Sequence, residues 1–195
     1  MKKNLALFDF DGTISTKDSL SEFLKYIEPN YFKFIFLKYF CSLPQNIAYK
    51  IGIISSDDLK KKRIELFFKN KKYSDLVKLG SKFATDVLPT IVKPSGIQAI
   101  QKHLLNKDEV YIISASLDII LKDWCNSHKV YLITNTIDPI KKIYNGADCN
   151  YNVKVTMLNQ HLNIRDYELI FAYGDTEGDI PMLNLAHKKF YKYFN

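Results

Sequence analysis

The feature that most constrains the fold is a short apolar run that ends in two carboxylates, residues 5–8 followed by Asp9 and Asp11. A continuous apolar run of this length is typical of a strand buried on both faces of a parallel sheet. Open α/β sheets bind ligands at the carboxyl ends of their strands, which places Asp9 where a reacting group belongs. Neighbouring carboxylates repel each other, so one tends to be ionised while the other keeps a proton. The alternative is a strand followed by an ordinary Asp-Gly turn.

The second half of the chain alternates between strand-like and helix-like segments, whereas residues 18–87 are helical in pattern throughout. This order predicts an α/β fold: a doubly wound parallel sheet with an α-helical cap inserted after the first strand. We expect a core of residues 1–15 and 90–195 and a cap of residues 16–89. Further strands are predicted at residues 109–113 and 169–173, strands or a hairpin at 130–136 and near 140–144, and an edge strand at 190–194.

Composition limits the function classes. The net charge of +7 suits an anionic substrate, but the lysines are spread along the chain without a compact basic run. We therefore expect no nucleic-acid partner. The three cysteines, Cys41, Cys125 and Cys149, are widely spaced, which is typical of reduced thiols in a cytoplasmic protein. Lysines interrupt the most apolar stretch, residues 31–54, so no segment reaches the roughly 18–20 uncharged residues of a membrane span.

Three predicted strands end in polar residues that could meet at one edge of the sheet. Besides Asp9 and Asp11, these are Ser114, and Asp175 with Asp179 four residues later; Lys154 lies between them in sequence. Phosphoryl transfer needs this combination, because the charge on phosphate oxygens must be neutralised by a cation, a lysine and N–H donors. Taken singly, Ser114 could be a helix cap, Lys154 a solvated side chain, and the later aspartates a helix N-terminus.

The run 9–13 (Asp-Phe-Asp-Gly-Thr), Ser114 after a strand, Lys154, and the run 174–179 resemble the four ordered motifs of the haloacid dehalogenase superfamily of phosphohydrolases. The helical insertion is similar to the cap of its phosphoserine-phosphatase-like branch. The resemblance implies a Rossmann-like core and a Mg²⁺-dependent phosphatase that removes phosphate from a small phosphorylated metabolite.

The resemblance also implies a role for each matching residue. Asp9 would be the nucleophile that forms an aspartyl-phosphate, and Asp11 the acid and then the base. Asp9, the backbone carbonyl of Asp11, and Asp175 would hold Mg²⁺, with Asp179 supporting the metal site. Phosphate oxygens would be bound at four positions: Gly12, Ser114, Ala115 and Lys154.

The sequence constrains the identity of the substrate less than it constrains the reaction. Asp18 and Arg63 match positions where phosphoserine phosphatases read their substrate, although Arg63 could equally be a solvated helix residue. The second motif departs from the Ser-Gly-Gly of those enzymes, because here it is Ser114-Ala115-Ser116.

Two alternatives stay open at this point. The aromatic, lysine-containing stretch 31–54 looks like the cap of phosphatidylglycerophosphate phosphatases, which would imply a lipid phosphate and peripheral membrane contact; otherwise these helices pack on each other. The other alternative is a signalling module that accepts phosphate on Asp9 without turnover. Relatives usually continue through another strand and helix, so the sheet edge after Phe190 is expected to be exposed or completed by a partner, and the oligomeric state cannot be read from the sequence.

Overall fold

The centre of the protein is a five-stranded parallel sheet. The computed structural model describes residues 3–194, with the side chain of Cys41 excepted. The strands follow the order β3-β2-β1-β4-β5. They are β1 (Lys3–Phe8), β2 (Glu109–Leu117), β3 (Tyr131–Asn135), β4 (Tyr167–Gly174) and β5 (Lys188–Tyr191). This topology confirms the predicted α/β class with a doubly wound parallel sheet.

The inserted segment is helical, as the sequence pattern predicts. It comprises α1 (Ser19–Ile27), α2 (Tyr31–Ile35), a π-helical continuation (Phe36–Cys41), α3 (Leu43–Lys50), α4 (Ser56–Phe68), α5 (Tyr73–Asp86) and α6 (Leu88–Ile91). Asp18 caps α1 by accepting a 2.7 Å hydrogen bond from the Ser21 N–H. An antiparallel bridge between Ser15 and Val92 joins the two connections between this segment and the sheet.

Four helices flank the sheet: α7 (Pro94–Leu105), α8 (Asp118–Ser127), α9 (Asn152–His161) and α10 (Ile180–Asn184). Alternate residues of β1 point to opposite faces, so Ala6 and Phe8 pack in one core cluster, whereas Leu5 and Leu7 pack in another. All four are fully buried. The central strand is therefore covered on both sides, which fixes the position of the residues at its carboxyl end.

Three local predictions are wrong in detail. β2 continues past Ser114 to Leu117, with an irregular register between these residues. No hairpin forms at residues 140–144, where the β-pairing is an isolated bridge between Ile137 and Tyr144. The Tyr144 side chain is instead buried, and its hydroxyl bonds Asp57 of α4. The last strand lies at Lys188–Tyr191 and not at 190–194, since Phe194 turns back into the core.

Cys125 and Cys149 are buried free thiols, whereas the Cys41 side chain lies outside the described residues. Burial raises the pKa of the Cys149 thiol to about 12, so it stays protonated at neutral pH. Across residues 3–194, every helix falls short of the length and apolarity that a bilayer crossing requires.

Candidate active site

Asp9 stands at the carboxyl end of the central strand and is almost completely buried. The Asp9 N–H donates to the Tyr173 carbonyl of β4 at 2.9 Å, which continues the sheet ladder by one residue and fixes the backbone. Burial in this position raises the pKa of Asp9 to about 6, against the opposing effect of Lys154.

Lys154 bridges two buried carboxylates. It lies in the first turn of α9, and its Nζ is 2.5 Å from Asp9 Oδ1 and 2.5 Å from Asp179 Oδ1. Burial alone would favour the neutral amine, but the two carboxylates outweigh it and raise the pKa of Lys154. The site therefore contains a fixed positive charge beside Asp9.

Asp175 is held against the loop that follows β1. Its Oδ1 accepts a 2.9 Å hydrogen bond from the Thr13 hydroxyl. Gly12 has a φ of +85°, and a Cβ there would collide with the Asp175 carboxylate. Glycine is needed at this position for both reasons.

Asp179 organises the loop that carries Asp175. Its Oδ2 accepts hydrogen bonds from the N–H groups of Asp175 (3.1 Å) and Thr176 (3.0 Å) and from the Thr176 hydroxyl (2.9 Å). Burial would raise its pKa, but Lys154 and these Thr176 donors lower it. Both oxygens of Asp179 are thus already occupied by protein donors.

Carboxylate oxygens from Asp9, Asp175 and Asp179 lie within 4.8 Å of one another, a spacing that suits one hard cation. Because both oxygens of Asp179 already accept hydrogen bonds, Asp9 and Asp175 are the two of these carboxylates best able to hold such a cation. Lys154 bonds one oxygen of Asp9, and Thr13 bonds one oxygen of Asp175. In the described structure, the second oxygen of each carboxylate is left for a metal.

The Asp11 carboxylate is held by the first residue of α1. It accepts hydrogen bonds from the Ser19 N–H (2.7 Å) and the Ser19 hydroxyl (3.0 Å). Burial, with the charges of Asp18 and Asp9, raises the pKa of Asp11 to about 8, although the bonds from Ser19 oppose this. Asp11 therefore stays protonated at neutral pH, as a general acid requires.

Ser114 and Ala115 lie at the irregular end of β2. Ser114 is buried, and its Oγ accepts a 3.0 Å hydrogen bond from the Ser116 N–H. The Ala115 carbonyl accepts from Asn135 at 3.1 Å and from Lys60 of α4. The local backbone is thus fixed from β3 and from the cap.

A cavity of about 970 Å³ lies between the cap and this edge of the sheet, and its wall includes Asp11, Ala115 and Ser116. Asp18 and Arg63 line the same cavity. The Arg63 Nη2 donates to Asn46 of α3 at 2.9 Å, while its Nε is buried without a partner among the described residues. All the residues singled out in the sequence therefore lie at this edge of the sheet or in the adjoining cavity.

Sequence reasoning missed several residues that fix the site: Thr13, Ser19, Lys60, Lys93, Asn135 and Asp148. Lys93 follows the cap and donates to the Gly12 carbonyl at 2.6 Å, while Lys60 of α4 reaches Asp148 at 2.6 Å. Their partners are mostly backbone carbonyls or distant carboxylates, which have no motif signature. Thr13 and Ser19 did leave a sequence signal, since Thr13 ends the first motif and Ser19 begins the helix that follows it.

The site thus consists of carboxylates and a buried lysine at the carboxyl edge of a parallel α/β sheet. The family model of haloacid dehalogenase-like hydrolases matches residues 6–184. The chain belongs to this family, which confirms the resemblance seen in the sequence.

Among curated proteins, the chain is 29% identical over 196 residues to Protein CicA of Caulobacter vibrioides, with 97% of this chain and 86% of that protein covered. Among solved structures, a protein of unknown function from Bordetella pertussis Tohama I superposes with a TM-score of 0.76 at 19% identity, covering 95% of this chain and 88% of the other. A substrate-bound phosphoserine phosphatase gives a TM-score of 0.65 at 19% identity, covering 98% and 86%. These structures show that the fold is shared.

Proposed function

We propose that this protein is a Mg²⁺-dependent phosphomonoester hydrolase that works through a phosphoaspartate on Asp9. The observation that carries the proposal is the environment of Asp9: a buried carboxylate contacts Lys154 on one oxygen and lies within 4.8 Å of Asp175. A carboxylate nucleophile can approach an anionic phosphate only where positive charge offsets the repulsion. Lys154 supplies one such charge, and a cation would supply the other.

The donor set fits Mg²⁺, which prefers oxygen ligands from one or two carboxylates and otherwise keeps water. Asp9 and Asp175 would provide those carboxylates, and the backbone carbonyl of Asp11 a third oxygen. When bound, the cation neutralises charge on the phosphate oxygens and orients the phosphoryl group.

The first step forms a bond between an Asp9 oxygen and phosphorus and breaks the bond from phosphorus to the ester oxygen. Asp11 gives its proton to that leaving oxygen, which its raised pKa of about 8 permits at neutral pH. Lys154 holds Asp9 in place and stabilises negative charge as it develops.

The second step releases phosphate. Asp11, now a carboxylate, accepts a proton from a water molecule that attacks the phosphorus of phospho-Asp9. The Asp9–phosphorus bond breaks, inorganic phosphate leaves, and both aspartates return to their starting protonation states. Asp11 lies only two residues from Asp9, which favours turnover over a long-lived phosphoprotein.

Hydrolysis of a soluble aryl phosphate tests the proposal. We expect turnover with Mg²⁺, loss of turnover with a chelator, and loss in Asp9→Asn, whose side chain is nearly isosteric. Turnover in Asp9→Asn close to that of the unchanged protein would refute the assignment of the nucleophile. Stoichiometric phosphorylation without turnover would support a signalling module instead.

A further inference from the structure

The cap exposes an unusual amount of apolar surface over one short stretch. Nine large apolar side chains are at least half exposed there, and we call them the cap surface: Tyr31, Phe32, Phe36, Tyr39, Phe40, Leu43, Ile47, Ile51 and Ile53. Isolated exposed apolar residues are ordinary, but a concentration of this size indicates an interaction surface.

The helices that carry this surface have little support from the core. Helix α3, all eight of whose residues are described, contains no buried residue, and in α2 the buried residue is Phe34. Helices this short are marginal in water unless an apolar face is covered. Apart from Phe34, the large apolar side chains of these two helices are not buried within the described structure, so they remain available to a partner.

The charges of this stretch favour an anionic partner. Lys33, Lys38 and Lys50 lie within it, and no acidic residue occurs between Glu28 and Asp57 in the sequence. Lys33 is paired with Glu28 at 2.6 Å, so Lys38 and Lys50 carry the excess positive charge. The Lys38 ammonium lies 5.4 Å from the centre of the Tyr39 ring, so cation and aromatic are presented together. A second copy of this chain would bring like charges together, whereas anionic lipid headgroups complement them.

The cap surface is continuous with the active-site cavity. The wall that contains Asp11 and Ser116 also contains Tyr39, Phe40 and Leu43. A phosphomonoester whose leaving oxygen lies at Asp11 could therefore extend an apolar tail along this wall to the cap surface.

We propose that the cap surface docks onto the headgroup region of a bilayer that contains anionic lipid, and that the site takes an amphipathic phosphomonoester from that bilayer. Aromatic and aliphatic side chains enter the interface while the lysines contact the headgroups. The substrate half of this inference rests on the proposed function, whereas the docking half does not.

Vesicle flotation of the full chain tests the docking half. We expect binding to vesicles of phosphatidylcholine with phosphatidylglycerol, and at least about tenfold weaker binding to phosphatidylcholine alone. The triple variant Phe32→Ser/Ile51→Ser/Ile53→Ser removes exposed residues that do not line the cavity, and it should lose binding while keeping aryl phosphate hydrolysis. The matched control Leu105→Ser/Ile140→Ser, at equally exposed apolar positions elsewhere, should bind as the unchanged protein does.

Failure of the unchanged protein to float with anionic vesicles would overturn the docking half, whatever its activity. Concentration-dependent dimerisation that the triple variant abolishes, without vesicle binding, would assign the cap surface to a second copy. Equal loss of binding in the control and the triple variant would also count against a specific surface.

A matched pair of substrates tests the substrate half of the proposal. Glycerol 3-phosphate and its acylated form in vesicles present the same phosphomonoester with and without an apolar tail. We expect kcat/KM to be at least about tenfold higher for the acylated form, because its tail contacts the apolar wall. Equal values would overturn the substrate half, and the aryl phosphate assay shows separately whether the site is a phosphatase.

Discussion

The Asp11 carboxylate accepts two hydrogen bonds from Ser19, one from the backbone N–H at 2.7 Å and one from the hydroxyl at 3.0 Å. The Ser19 hydroxyl also lies 2.7 Å from the Ser116 hydroxyl. The first residue of the cap helix α1 thus joins the proposed general acid to the end of β2.

Ser19→Ala keeps the backbone donor and removes the hydroxyl from this chain. We expect kcat for an aryl phosphate to fall about tenfold, since one of the two hydrogen bonds that orient Asp11 is lost. The measurement is steady-state kinetics, with Ser81→Ala in α5, whose hydroxyl bonds the Val77 carbonyl of the same helix, as the control. An unchanged kcat in Ser19→Ala would show that Asp11 does not depend on the hydroxyl for its position.

Asp18→Asn tests the electrostatic part of the raised Asp11 pKa. Asparagine also caps helices well, so the bond to the Ser21 N–H is kept while the negative charge disappears. The acid form of Asp11 is present below its pKa and lost above it, so activity should fall as the pH rises past about 8. Removing the Asp18 charge lowers that pKa, and the basic limb of the kcat/KM profile should move to lower pH. A basic limb at the same pH in Asp18→Asn and in the control Asp75→Asn would contradict this expectation.

Lys154→Gln leaves Asp9 and Asp179 buried without their shared cation. The expected loss of unfolding free energy is about 3–5 kcal/mol, the usual effect of leaving a buried charge unpaired. Urea denaturation without Mg²⁺ measures it, and Lys78→Gln on the surface of α5 should change stability by less than about 0.5 kcal/mol. Adding Asp179→Asn to Lys154→Gln should restore part of the loss; purely additive effects would argue against the bridge.

Mg²⁺ should stabilise the folded protein through Asp9 and Asp175. At a concentration about 100 times its Kd, a ligand specific for the folded state adds about 2.7 kcal/mol. Thermal unfolding with Mg²⁺ and with a chelator measures the shift in Tm, and Asp175→Asn should abolish it. The control Asp166→Asn lies outside the cluster and should show the same shift as the unchanged protein.

The sequence could predict the sheet and the main site residues because their signals are local. Apolar runs ending in Asp9 and Asp175 identify buried strands, and the carboxyl ends of parallel strands meet at one edge. The end of β2 was placed wrongly, since Ser114 lies inside an irregular strand whose pairing with β3 no local pattern encodes.

Contacts between the cap and the core could not be predicted. Lys60 of α4 reaches Asp148 and the Ala115 carbonyl, and Tyr144 bonds Asp57, across separations of 55 residues or more. The sequence predicts that a lysine in an amphipathic helix is solvated, whether or not its ammonium bonds a distant carbonyl in the folded protein. The exposure of the nine side chains of the cap surface was equally undetermined by the sequence, because an aromatic helix pair could have packed on itself.

The most direct test of the central claim is to identify the phosphorylated residue. The protein is mixed with an aryl phosphate and Mg²⁺, quenched with acid within the first turnover, digested, and examined by mass spectrometry. The account predicts one phosphoryl group on Asp9, which disappears as inorganic phosphate is released and is absent in Asp9→Asn. Turnover with no phosphorylated Asp9 peptide at any quench time, or a phosphoryl group on another residue, would contradict it.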